Sequence, residues 1–429
     1  MPRCADAVEP ATVILVIGKG PLGPHGRNFE MTAVAEAPSV DAQRIRGAEY
    51  LDRAREVAKV IEAEATAIEA GATITRPVYE ALADAGLFWL LVPEEYGGAG
   101  LDIVSTFKVI QEITRADGST GWAFMANSCS TGVAVGYTNP DGARDMFGGT
   151  DKGITAGMVV PTGSGVRVEG GYRVSGRFQF ASGSAHASWI GAGFVVHDDE
   201  GKPVIDADGQ PEARIAWIPR EQVEFLGNWD VMGMVGTGSY DYRVTDRFVP
   251  ERFTMSTFST VPVRPEPVYK LGLLGIGVGG HAPVALGLAE RALQEISRIV
   301  ASKMRPGYDG FVGDSDVFRI EFARHEAMYK AACAYVYEVF GDAEQTAAAG
   351  RPITDEQHAR LRQAATWVQE VAGDVVMFAH RWAGSATVRN PSALGRCVRD
   401  AAVATQHALI DRMTLSEAAQ AILPGYQQS

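Results

Sequence analysis

Residues 172–180, YRVSGRFQF, set apolar side chains at every second position, while the long stretches on either side repeat theirs every three to four. Tyr172, Val174, Gly176, Phe178 and Phe180 fall on one side of that segment, and Arg173, Ser175, Arg177 and Gln179 on the other. A period of two predicts a half-buried strand, so the chain cannot be all-helical. The strand runs into Ala181-Ser182-Gly183-Ser184, where small side chains let another group come close to the backbone. A second strand is expected from Trp189. Small hydroxyl residues beside a large indole suit one wall of a planar cofactor with polar edges, such as a flavin ring. An ordinary β-hairpin around a buried tryptophan accounts for the same letters.

The flanks are helical. Leu51, Ala54, Ala58, Ile61, Ala65 and Ile68 recur at helical spacing, which predicts an amphipathic helix. A second helix over 78–85 stops at Gly86, an apolar run over 87–102 closes in a Pro- and Gly-rich turn, and helix resumes over 105–115 and 122–135. The middle, 154–249, is rich in Val, Gly, Thr and aromatics. Within it Gly170-Gly171 predicts a two-residue hairpin, 198–214 a solvated loop, and WDVMGMVGTGS at 229–239 a Gly-rich segment leading to a strand that ends near Pro250. Four long helical segments follow, over 279–302, 316–344, 354–382 and 394–423, with lengths that suit an antiparallel bundle. The expected architecture is α+β and multidomain. Residues 1–35 form a disordered extension, 36–150 an N-terminal helical domain, 151–260 a middle β-barrel or sandwich domain, and 261–429 a C-terminal four-helix bundle. A length of 429 residues, 46% of them hydrophobic, supports more than one core.

Composition narrows the partners. With 39 basic against 52 acidic residues and no long basic run, the net charge is −13. That argues against nucleic acid and anionic membrane surfaces as partners. No apolar run reaches membrane-spanning length. Cys4, Cys129, Cys333 and Cys397 are scattered, with no zinc-type spacing, so reduced thiols in a cytoplasmic protein and no metal site are expected. Gly18-Lys19-Gly20-Pro21-Leu22-Gly23 matches the letters of a dinucleotide-binding loop, but Pro21 and Pro24 block the helix that must follow it.

The order of these segments, with LVPEEYGGAGLD at 91–102, GRFQFASGSAHASW at 176–189, WDVMGMVGTGS at 229–239 and RNPSALGRCVRDAAVATQH at 389–407, resembles the acyl-CoA dehydrogenase fold superfamily. The resemblance runs from about residue 45 to the end. It implies a flavin, FMN or FAD, between the β domain and the C-terminal bundle, and a homotetramer that completes the site across subunits. Acyl-CoA dehydrogenases of this fold often carry a glutamate base after an Arg-Asp-Ala step. Here Arg399-Asp400-Ala401 is present, but Ala408 stands at the glutamate's place. The ASG-x-x-HASW run looks more like the oxygenase components of two-component monooxygenases, the 4-hydroxyphenylacetate and secosteroid hydroxylase type. In those proteins a separate NAD(P)H-flavin reductase supplies reduced flavin, which reacts with O2 to a C4a-hydroperoxide and hydroxylates a small organic substrate. Two alternatives are an FAD-dependent acyl-CoA dehydrogenase and a non-catalytic flavin-binding subunit.

The same resemblance implies site residues. Ser182 maps to a serine near the flavin and substrate, Trp189 to an aromatic residue against the flavin, and His407 to a histidine that takes the substrate's proton. Gly183 belongs to the same corner, and Thr237, Gly238 and Ser239 form a turn able to present backbone N–H groups. Lys303 and Arg305 are candidates for the flavin phosphate, and Arg399 for the cofactor. Helical spacing places Arg396, Asp400 and His407 on one face, with Asp411 in position to orient the imidazole; a purely structural salt-bridge network is the alternative. Ser182 is expected to donate a hydrogen bond, and His186 either touches a ligand or satisfies a turn. Relatives carry an arginine at Val235 and histidines near Ser128–Ser130 and at Ala402, so the substrate need not be theirs.

Overall fold

The computed structural model describes residues 40–427; the expectation for residues 1–35, the glycine motif at 18–23 and Cys4 lie outside them. Helices α1 (Val40–Gly71), α2 (Arg76–Asp84), α3 (Ile103–Ala116), α4 (Gly118–Tyr137) and α5 (Pro140–Phe147) come first. Strands β1 (Thr155–Val168), β2 (Gly171–Ala181), β3 (Trp189–His197), β4 (Ala213–Pro219), β5 (Glu224–Phe225), β6 (Tyr240–Pro250) and β7 (Thr254–Ser256) follow. Helices α6 (His281–Val300), α7 (Asp316–Ala348), α8 (Asp355–Ala383), α9 (Ala393–Ala404) and α10 (Met413–Gln427) complete the chain. No helix among the described residues is long and apolar enough to cross a membrane.

The strands form one mixed sheet in the order β5-β6-β2-β1-β3-β4-β7, in which only β1 and β3 run parallel. One face of it, including Tyr172, Val174, Phe178, Ile190, Phe194, Ile218 and Tyr242, packs into an apolar cluster of its own. A sheet that fills its own core in this way has curled over itself, and the register break in β1 between Met158 and Gly163 supplies the bend. The opposite face of β4, with Ile215 and Trp217, belongs to the helical core. That core gathers around α4, which is buried on nearly every side. Asp117 caps α4 by accepting from the Thr120 N–H at 2.9 Å, the expected role of an N-cap carboxylate.

Three sequence expectations change. The first hairpin turns on Glu169-Gly170, because Val168 pairs with Gly171; Gly170 takes the left-handed conformation at φ 76° that this turn demands. Phe180 does not continue the buried row. The β2–β6 register slips between Phe178 and Ala181, Phe180 adopts φ 61°, and its ring is 59% exposed while Ala181 is buried. Finally, the segment expected as one helix over 394–423 is broken between α9 and α10. There the His407 ring accepts from the Leu409 N–H and the Asp411 carboxylate from the Met413 N–H. Such local bonds offer the backbone an alternative to the helical ladder.

Candidate active site

The corner after β2 turns on Gly183, at φ 70°. Its N–H donates to the Thr237 carbonyl at 3.0 Å, so the corner and the Gly-rich turn at 234–239 are one unit. Three hydroxyls meet there. Ser182 Oγ and Ser239 Oγ are 2.7 Å apart, as are Ser239 Oγ and Thr237 Oγ1, and Thr237 Oγ1 donates to the Met234 carbonyl at 2.8 Å. Trp122 Nε1, from α4, donates to Ser182 Oγ at 3.1 Å. Counting protons fixes the direction of this chain. A carbonyl only accepts, so the Thr237 proton goes to Met234, the Ser239 proton to Thr237, and the Ser182 proton to Ser239. Ser182 therefore offers an outside partner a lone pair. The expectation that it donates is corrected by the hydroxyl already spending its proton inward.

Trp122 links that corner to the bundle. Its ring centroid lies 5.0 Å from His281, at the start of α6, and 6.0 Å from His407, and the two imidazoles are 4.3 Å apart. His407 thus joins Ser182 in one site, although it does so from a cap beyond α9. The helical face expected for Arg396, Asp400 and His407 does not form, and Asp411 holds the Met413 N–H instead of the imidazole. Burial lowers His407 to about 4, and burial with the neighbouring His407 lowers His281 to about 3. Both rings are neutral at pH 7.

Asp400 stands behind the turn. Its Oδ1 accepts from the Met234 N–H at 2.6 Å, and its Oδ2 has no partner. Met234 is left-handed at φ 54°, a costly conformation outside glycine. It persists because Asp400 fixes its N–H and Thr237 its carbonyl. Burial and the charge of Asp117 push the Asp400 carboxyl up to about 7. Arg399 pairs with Glu69, and Arg396 with Glu69 at 3.7 Å and Asp117 at 3.8 Å. These arginines tie α9 to α1 and α4. Gly238, at φ 53°, backs onto the Ala72 carbonyl at the end of α1.

Other candidates stand apart. Trp189 packs its ring against Phe253, with centroids 5.0 Å apart, and no described contact joins it to the hydroxyls. The indole beside the hydroxyls is instead that of Trp122, the first residue of the run read as helix over 122–135. Arg305 lies over the Trp382 ring and donates to the Arg381 and Trp382 carbonyls; Lys303 approaches Gly384 in the same region. His186 stacks on Tyr79 and bonds the Ile74 carbonyl at 3.1 Å, so it satisfies a turn. Sequence reasoning missed His281. Its signal was a lone imidazole in GVGGHAPVAL, at the N-terminus of a helix whose first two turns are otherwise apolar.

The residues fit a flavin. A planar, polar-edged ring system needs a surface with little side-chain relief and hydrogen-bonding edges. The corner supplies the edges, since the lone pair of Ser182, two imidazoles and an indole meet there, and Gly183 lets its backbone pack directly against α4, where a Cβ would come within 2.3 Å of Asn127 Oδ1. Among the described residues no carboxylate bonds to these hydroxyls or imidazoles.

Comparison with known proteins agrees with this fit. The family model described as acyl-CoA dehydrogenase, N-terminal domain, matches residues 48–140, and that described as acyl-CoA dehydrogenase, C-terminal domain, matches 279–412. Indole-3-acetate monooxygenase of Pseudomonas putida is 29% identical over 82% of this chain and 89% of its own. The flavin-dependent monooxygenase oxygenase subunit HsaA of Rhodococcus jostii (strain RHA1) is 28% identical over 77% of this chain and 87% of its own. The solved structure of XiaF from a Streptomyces species, in complex with FADH2 and glycerol, has the same fold, with a TM-score of 0.83 and 20% identity over 90% of this chain and 97% of that one. With both family models covering together more than half of its length, the chain belongs to the acyl-CoA dehydrogenase superfamily.

Proposed function

We propose that this protein is the oxygenase component of a flavin-dependent two-component monooxygenase. The observation that carries the reading is the meeting of Ser182, Trp122, His281 and His407 at the junction of sheet and bundle, with no carboxylate bonded to them among the described residues. The runner-up, an acyl-CoA dehydrogenase, needs a general base for the α-proton, and Ala408 stands where the family's glutamate would be. Bound reduced flavin supplies two electrons to O2, so that one oxygen atom enters the substrate and the other leaves as water.

The protein's own residues have three tasks in that reaction. Ser182 turns an acceptor toward the cofactor, held in place by the donation from Trp122 and its own bond to Ser239. Asp400 acts as a positioning residue by holding Met234, and with it Thr237 and Ser239, in the turn. The neutral imidazoles and Trp122 keep water from the reacting centre, which limits wasteful release of H2O2. Lys303 and Arg305 reach a flavin phosphate only from another subunit of a homotetramer, which forms part of the proposal along with a separate NAD(P)H-flavin reductase and a cytoplasmic location. The likeness to an oxygenase subunit supports the reductase, and the free thiols Cys129, Cys333 and Cys397 support the location.

The test is anaerobic loading with reduced flavin followed by rapid mixing with oxygenated buffer. A delay before oxidised-flavin absorbance returns is expected. Ser182→Ala is expected to shorten that delay and to raise H2O2 per flavin severalfold. Immediate reoxidation in the wild type, together with bleaching of oxidised flavin by an acyl-CoA, rejects the oxygenase in favour of the dehydrogenase.

A further inference from the structure

The two imidazoles of the site have opposite hydrogen-bonding polarity. His281 follows the π-turn at Leu274–Val278, and its Nδ1 lies 3.0 Å from the Val278 carbonyl oxygen. Because a carbonyl only accepts, Nδ1 carries the proton and Nε2 of the neutral ring holds a lone pair. His407 is the reverse. Its Nδ1 accepts from the Leu409 N–H at 3.3 Å, so the neutral ring carries its proton on Nε2. No described residue bonds Nε2 of either ring. His281 keeps 6% of its surface and His407 is half-buried. The rings are 4.3 Å apart, and burial keeps both uncharged.

We propose that His281 Nε2 and His407 Nε2–H together bind one neutral hydroxyl of the substrate, which makes His281 a specificity-determining residue for a hydroxylated aromatic compound. This rests on the oxygenase reading above. A hydroxyl is both donor and acceptor, so it satisfies the lone pair of His281 and the N–H of His407 at once. An ether leaves the His281 lone pair unmet. A carboxylate sets its own lone pair against it and brings a charge into a site whose two rings carry none, which is costly. Discrimination follows from the group left unpaired.

The experiment measures anaerobic binding to reduced-flavin-loaded protein by calorimetry, with 2-naphthol, its methyl ether and 2-naphthoate as probes. In the wild type 2-naphthol is expected to bind about tenfold more tightly than either of the others. In His281→Phe, which keeps a ring of similar size, the preference over the ether is expected to fall to about twofold or less, and His281→Gln, with an amide oxygen as acceptor, to recover part of it. Equal binding of naphthol and ether in the wild type, or an unchanged preference in His281→Phe, overturns the proposal. Should the variants not fold, 15N-histidine shifts of the wild-type protein decide: a proton on Nε2 of His281, or on Nδ1 of His407, overturns it equally. Oxygen uptake and product formation from 2-naphthol in the same samples report on the oxygenase reading separately. Uptake without oxygenated product rejects that reading while the hydroxyl preference stands.

Discussion

Gly183→Ala is expected to destabilise the fold by ~2–4 kcal/mol and to weaken reduced-flavin binding at least about tenfold. Two costs combine. The residue sits at φ 70°, where an alanine is strained. Its new Cβ would also lie 2.3 Å from Asn127 Oδ1 and 3.0 Å from the Ala123 carbonyl oxygen. Asn127 cannot swing aside cheaply, because its Nδ2 donates to the Thr155 carbonyl at 2.9 Å in a buried position. The corner must then move, and with it the Gly183 bond to Thr237 that joins the two walls of the site. Urea unfolding and flavin titration of the variant check both parts. A variant with wild-type midpoint and wild-type affinity would show that the corner is not the close-packed support described above.

Asp400→Asn is expected to be increasingly more stable than the wild type as pH rises from about 4 to about 7. The Asp400 carboxyl ionises near 3.8 in an ordinary setting and near 7 in the folded protein. Between those values the folded state holds a proton that the unfolded state has lost, so this group lowers stability as pH rises. The slope is at most about 1.4 kcal/mol per pH unit, or ~4 kcal/mol across the window, and the penalty is constant above it. Asparagine keeps an oxygen for the Met234 N–H and removes the charge. Unfolding curves at pH 4.5 and 7.5 for both proteins give the difference. If the two proteins lose the same stability between these pH values, Asp400 is ionised in the fold and the assignment fails.

What the sequence made readable, and what it concealed, has a common cause. Amphipathic period and Gly or Pro stops located α1 to α4 but not the short α5, since those signals depend on residues close together in the chain and need several turns to repeat. Alternation located β2 but misjudged Phe180, because the slip against β6 depends on the partner strand's register. The break at 405–412 escaped notice because the apolar spacing of 394–423 is compatible with a continuous helix, and only the side-chain caps of His407 and Asp411 interrupt it. Ser182 was singled out by the small, hydroxyl-rich corner after the alternating strand and, with His407, by motif likeness. Trp122 and His281 were hidden among helical positions where an aromatic or a histidine reads as core; only the approach of α4, α6 and the 405–412 segment brings them together. Trp189 drew attention for lying near Ser182 in sequence, yet its ring turns to Phe253.

The turn at 234–239 is fastened to parts of the chain that are made long before and long after it: Ser119 accepts from the Gly236 N–H, the Ala72 carbonyl backs Gly238, and Asp400 accepts from the Met234 N–H. During synthesis the sheet can pair its strands while the last of these anchors has yet to be translated. A nascent chain that has not reached α9 therefore has no carboxylate to hold Met234 in its left-handed conformation. The anchor that fixes Met234 is thus the last of the three to be made.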